Sequence, residues 1–148
     1  SMAAMMGALI SHAASNDRIM SEIRAIHGLL GPTGGVMNQE KACVELSMTQ
    51  EELWERFVDK SVLCVWIHRD VYVPVFQFDG GNHIPYFHDL WDILAPKCGS
   101  LEISQFFVSY RVEFSDLCIR DLLCEDLEVW QISAIVDSAK YFKTNGLI

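Results

Sequence analysis

Cysteine pairs at metal or redox spacing are missing from this sequence. Its five cysteines, Cys43, Cys64, Cys98, Cys118 and Cys124, include no Cys-x-x-Cys, and their odd number argues against a closed disulfide framework. They read as small core residues: Cys64 lies in a β-like run beside Val65 and Trp66, and Cys118 and Cys124 lie on a helix-like stretch. Basic charge is scarce as well. Eleven Lys and Arg against 20 Asp and Glu leave a formal net charge of −9, which opposes non-specific phosphate binding as the main work of the chain. No apolar run approaches the ~18 residues of a membrane span, and Met5 to Ile10 lacks the basic flank of a signal peptide, so a cytoplasmic protein with no membrane partner is expected. Phosphate loops, nucleophile elbows, zinc signatures, internal repeats and low-complexity tracts are all missing. The expectation is a non-enzyme with no catalytic residues, no metal and no cofactor.

What is present suits burial: 148 residues, 51% of them hydrophobic, fit one domain or two small subdomains sharing a core. The pattern predicts a mostly helical α+β fold in three parts: a helical segment over 1–30, a helix-turn-helix-like module with a β-hairpin over 36–79, and a helical domain over 82–148. In the first part, Ser15-Asn16-Asp17 predicts a break into two helices, the second carrying a stripe of Ile19, Ile23, Ile26 and Leu30. Gly31-Pro32-Thr33-Gly34-Gly35 reads as a linker. Asn38 then caps a short helix through Leu46, and Thr49 with Glu52 forms a capping box for a second helix reaching about Lys60. The runs Val62 to His68 and Val71 to Phe78, turning at Arg69-Asp70, give the hairpin. In the last part Pro85 opens a helix through Leu94, Ser100 caps Leu101 to Tyr110, and Ser115 caps a short helix to Cys124. A final helix follows with Val129, Ile132, Val136 and Ala139 on one face and Asn145-Gly146 as its C-cap.

The segment Val73-Pro74-Val75-Phe76-Gln77-Phe78-Asp79 contains a contradiction, because proline has no N–H to give a ladder. This predicts an edge strand or a bulge ending at Asp79-Gly80-Gly81-Asn82. Strand alternation places Phe76 and Phe78 on the core face and Gln77 opposite, where its amide is expected to satisfy backbone groups left irregular by Pro74.

Charge and reactive side chains suggest few sites. From Glu113 to Glu128 six acids face the single base Arg120, a stretch of −5 that suits a basic partner or an ordinary solvated face. If the helix from Thr49 reads DNA, Gln50, Trp54 and Arg56 are its candidate contacts, with Arg69 at the hairpin tip to meet a phosphate. Its four acids, Glu51, Glu52, Glu55 and Asp59, outnumber Arg56 and Lys60, and a solvated helix packed through Leu53, Trp54 and Phe57 explains the same residues. His83 and His88 match no standard metal spacing, and Cys64 and His68 are too far apart on a strand for a nucleophile and its base.

The Val73 to Asp79 segment, Ile84-Pro85 with Leu90 to Leu94, Phe106-Phe107 and Asp121-Leu122-Leu123 stand in an order and spacing that resembles the Xre/MbcA/ParS antitoxin family, over about three quarters of the chain from Gly35. Pro74, Phe76, Gln77 and Phe78 are its structural motif. Two departures are Val75 in place of a small residue and the lack of Gly and Pro around Val112 to Ile119. The resemblance implies an antitoxin-like protein that binds and neutralises a cognate toxin, typically with a RES-type NAD-consuming domain, that is dimeric and that also represses its own operon by binding operator DNA. It further implies that the C-terminal end meets the toxin, here through Lys140, Lys143, Asn145, Leu147 and Ile148. A DNA-binding transcription regulator and an orphan accessory protein of a mobile element are the other readings the sequence leaves open.

Overall fold

The computed structural model describes residues 2–110 and 116–143, with the side chains of 2–15 excepted. The fold is mixed α+β and mostly helical, as the sequence pattern predicts. Helix α1 (Met2–Leu30) leads through a single 3-10 turn (Gly31–Thr33) into strand β1 (Val36–Asn38) and the helix pair α2 (Gln39–Glu45) and α3 (Gln50–Val58). The hairpin β2 (Val65–Ile67) and β3 (Asp70–Pro74) follows, then a second 3-10 turn (Val75–Gln77) and a ribbon of β4 (Phe78–Asp79) and β5 (Asn82–His83). Helices α4 (Phe87–Leu94), α5 (Ser100–Val108), α6 (Ile119–Leu123) and α7 (Val129–Lys140) complete the described chain.

The predicted break at Ser15-Asn16-Asp17 does not occur: α1 runs unbroken through it. Asn16 and Asp17 are exposed, and neither a proline nor a glycine stands there to remove a helical bond, so their modest propensity cost is carried by the long helix around them. The stripe behaves as its spacing demands, with Ile26 and Leu30 buried and Ile19 and Ile23 packed against them. The glycine-rich segment is a tight joint and not a loose linker. Gly35 N–H donates to Leu30 O at 2.8 Å, and Gly34 takes φ +106°, where an added Cβ would meet Val75 Cγ1 at 2.8 Å.

Strand β1, which lacks any alternating run, pairs with β3 through Val36↔Pro74 and Asn38↔Tyr72, while β2 pairs on the other side. The order β1-β3-β2 puts β3 in the centre, contrary to the edge position expected from Pro74. Pro74 is tolerated because it is the last residue of the strand, beyond the point where the pairing with β2 stops at Val65↔Tyr72. The hairpin is shorter than predicted. Its β2 begins at Val65, its turn is His68-Arg69 with His68 at φ 60°, and the second strand stops four residues before Phe78.

The sheet separates two apolar clusters. Val65, Ile67, Val36 and Tyr72 face the main core built from α1 and α4 to α7, whereas Met37, Cys64, Val71 and Val73 face a smaller cluster with Ala42 and Leu53 from α2 and α3. Period-two alternation assigns neighbouring residues of each strand to opposite clusters. In α4, Phe87, Leu90, Trp91 and Leu94 are all buried, but the helix starts two residues after Pro85, with Tyr86 at its N-cap in the left-handed region. Ser100 lies inside α5, whose N-cap is Gly99, and its carbonyl accepts from the Ser104 hydroxyl. The apolar stripe expected for α7 holds at its C-terminal end, where Ala139 is buried and Val136 packs against the core, but Ile135 beside it is buried as well and Val129 is exposed. The Ser115 cap and the Asn145-Gly146 cap lie outside the described residues; α6 is preceded by Cys118 and α7 closes at Tyr141. Among the described residues, no helix is long and apolar enough to cross a membrane.

Candidate functional site

Three surfaces follow from the residues singled out in the sequence: the Pro74 to Asp79 joint, the face of α3 with the hairpin, and the end of α7. At the joint, the chain must leave a central strand and enter a helical layer, which strands buried carbonyls and amides. Gln77 answers this. The expected alternation fails because Val75 to Gln77 is a 3-10 turn, so Phe76 and Gln77 are both fully buried and Phe78 is the half-buried one. The Gln77 Oε1 accepts from Leu63 N–H at 2.8 Å, and its Nε2 donates to Leu63 O and Pro74 O, both at 2.9 Å. Its backbone carbonyl accepts from Ile84 N–H. One amide side chain thereby joins the end of β3 to the segment that leads into β2.

Arg120, the lone base of the acidic stretch, reaches the same joint. Its Nε donates to Phe76 O at 2.9 Å and its second guanidinium nitrogen to Phe78 O at 2.8 Å, while Asp121 pairs with it at 3.0 Å. In the sequence this arginine is marked only by its charge. Nothing local marks a contact 44 residues distant in the chain, although a single base among carboxylates is the type of residue that finds an internal partner. Of those acids, Asp116, Glu125, Asp126 and Glu128 are exposed, and Glu113 lies outside the described residues. The β4–β5 ribbon turns through Gly80 and Gly81, both at positive φ, and positions His83 between Phe78 and Phe87, its ring stacked on Phe87 at 5.2 Å. The His83 Nε2 is buried with no hydrogen-bond partner among the described residues. Burial and the neighbouring His88 hold its imidazole down to about 4.

On α3, Thr49 caps as expected, its hydroxyl oxygen accepting from Glu52 N–H at 3.1 Å. The Glu52 carboxylate accepts a hydrogen bond from the Thr49 hydroxyl in return and does not reach the backbone. The complete reciprocal capping box belongs to Glu128 and Gln131 at the start of α7. Of the four DNA candidates, the fold brings Gln50, Trp54 and Arg69 together around a groove of about 150 Å³ floored by Leu53, Cys64 and Val71 and walled by Trp66. Arg56 is not at that groove. It pairs with Asp59 at 3.3 Å. Trp66 stands edge-on to Phe57 at 4.5 Å and to Trp54 at 5.8 Å. Burial pushes the Cys64 thiol up to about 12, so it sits in the groove floor as a neutral, apolar group, and His68 lies in the hairpin turn and not on the strand expected to carry it.

At the end of α7, Lys140 and Lys143 are exposed beside Tyr141, whereas Asn145, Leu147 and Ile148 lie outside the described residues. Lys97 donates its ammonium protons to Ala139 O at 2.7 Å and Lys140 O at 2.6 Å, neutralising the negative end of the helix. This fixes the backbone from which the terminal lysines project. No group of three or more His, Cys, Asp or Glu able to hold a metal ion occurs among the described residues.

No protein-family model matches the chain, and no curated protein and no solved structure matches it either.

Proposed function

We propose that the chain is a non-enzymatic, cytoplasmic, antitoxin-like protein that binds and neutralises a partner toxin of the RES type and works as a homodimer. The observation that supports this reading is the role of the motif residues that carry the family resemblance. Pro74, Phe76, Gln77 and Phe78 are spent on the joint between sheet and helical layer, so the motif is scaffold, and a partner must be met elsewhere. The end of α7, with Lys140, Tyr141 and Lys143 exposed on a backbone held by Lys97, is a surface of the right kind for an anion-binding enzyme cleft.

Co-expression of the chain with a RES-type toxin encoded beside it tests the proposal. The toxin is expected to co-purify and cellular NAD to be spared, with Lys140→Glu and Lys143→Glu weakening both effects; failure of the pair to associate overturns the reading. Size-exclusion chromatography with light scattering decides the dimer. A second reading, a DNA-binding regulator, is favoured by the convergence of Gln50, Trp54 and Arg69 at one groove. It requires a salt-dependent shift of operator DNA, and no binding at low salt removes it.

A further inference from the structure

Helix α3 is the second helix of the pair in which the sequence suggested a DNA reader, yet its outward face is acidic and apolar. Positions 51, 54, 55 and 58 fall on one side of a helix, and here they are Glu51, Trp54, Glu55 and Val58. All four are exposed, with Trp54 57% and Val58 63% accessible, while Leu53 and Phe57 turn inward. The two cations of α3 and its end are engaged, Arg56 with Asp59 and Lys60 with Asp92 at 3.6 Å, and Arg69 lies across the groove on the hairpin. Glu51 and Glu55 have no cation partner among the described residues. Beside Trp54 the surface continues into the groove walled by Trp66, itself 39% accessible.

We infer that α3 and the β2–β3 hairpin form a docking surface for a basic amphipathic helix of a partner protein, with an apolar anchor in the Trp54–Trp66 groove and lysines or arginines against Glu51 and Glu55. The groove volume of about 150 Å³ suits one aliphatic or aromatic side chain. Exposed tryptophans in a shallow pocket are the residues that carry binding energy when covered. The unneutralised carboxylates select the charge of whatever covers them, and they repel a nucleic-acid backbone. Arg69, the cation on the groove lining, suits the negative end of the bound helix. This surface lies on α3 and the hairpin and does not depend on the toxin reading, which concerns the end of α7.

The test uses the full chain and a fluorescein-labelled peptide with leucines at helical spacing and lysines elsewhere, followed by anisotropy. The expected result is binding that weakens with salt and falls about tenfold or more in the double variant E51K/E55K. That variant changes the net charge from −9 to −5, since each Glu→Lys adds two. The control E125K/D126K makes the same change away from the groove and is expected to bind nearly as the parent does. Trp54→Ala is expected to weaken binding about tenfold. The charge pair keeps the test valid should the loss of Trp54 loosen its packing on Phe57 and Trp66. Equal weakening by both charge pairs, no binding by the parent chain, or displacement of the peptide by duplex DNA each overturns the proposal.

Discussion

A single buried amide decides how the sheet meets the helices. Replacing Gln77 by leucine keeps the volume but removes the partner of Leu63 N–H, Leu63 O and Pro74 O, three groups around a fully buried side chain. Unsatisfied buried backbone groups cost about 1–3 kcal/mol each, so Gln77→Leu is expected to lower stability by about 3 kcal/mol or more in urea unfolding while leaving partner affinity per folded molecule little changed. An unaltered unfolding midpoint with lost affinity would make Gln77 a contact residue instead. That this glutamine serves backbone groups was legible from its position after a proline between two phenylalanines. Its depth was not, because the 3-10 turn that overrides strand alternation is set by the tertiary packing of Phe76 on Phe87 and Phe107.

His83 gives the second residue-scale expectation. Its folded form holds a proton only near pH 4, against an ordinary 6.5. Between those values the unfolded chain binds more protons at this site, so the stability it supports is complete above pH 6.5 and drains away as the pH falls towards 4. His83→Phe keeps a ring on Phe78 and Phe87 and removes the titration. Its unfolding midpoint is therefore expected to fall less than the parent's across that window in paired denaturant titrations; parallel curves would show that His83 is not held neutral.

At the scale of elements, local signals were readable and distant ones were not. Asn38 and Thr49 cap α2 and α3 as their spacing indicates, because a cap acts within one turn. Strand β1 carries no signal of its own, since three residues beside a glycine turn have no period and pair only because β3 offers an edge. The face of α3 was legible as an acidic helix, but its groove with Trp66 depended on hairpin register. Arg120 is the clearest case of a distant tie, linking α6 to the β4 entry. Arg120→Met removes two charge-assisted bonds to carbonyls and is expected to cost about 2–4 kcal/mol. Hydrogen exchange should locate the effect: the Ile84 amide, bonded to Gln77 O, quickens by more than the global loss of stability accounts for, while amides of α1 follow the global loss alone. Uniform acceleration would assign Arg120 to the general core.

The whole molecule is tied by its main cluster, in which Ile26 and Leu30 of α1 touch the same core as Val65 and Ile67 of the sheet and Phe106, Ile119 and Ile135 of the later helices. The predicted segment boundaries describe the chain's punctuation, whereas the packing runs across it. The smaller cluster under α2 and α3 is bound to the main one through the shared strands, since Val65 and Cys64 are neighbours facing opposite ways. Cooperative unfolding is the physical consequence. Leu30 is fully buried at the end of α1, and Leu30→Ala there should cost about 2–5 kcal/mol as lost transfer energy and a cavity. If the molecule is one unit, that change lowers the urea midpoint equally when read by far-UV dichroism, which follows all helices, and by tryptophan fluorescence. The fluorescence includes Trp91 in the main core and Trp54 and Trp66 over the smaller cluster. Non-coincident transitions, with the Trp54 and Trp66 signal unmoved by Leu30→Ala, would separate the α2–α3 layer as an independently stable module and would move the joint at Gln77 from a scaffold to a hinge.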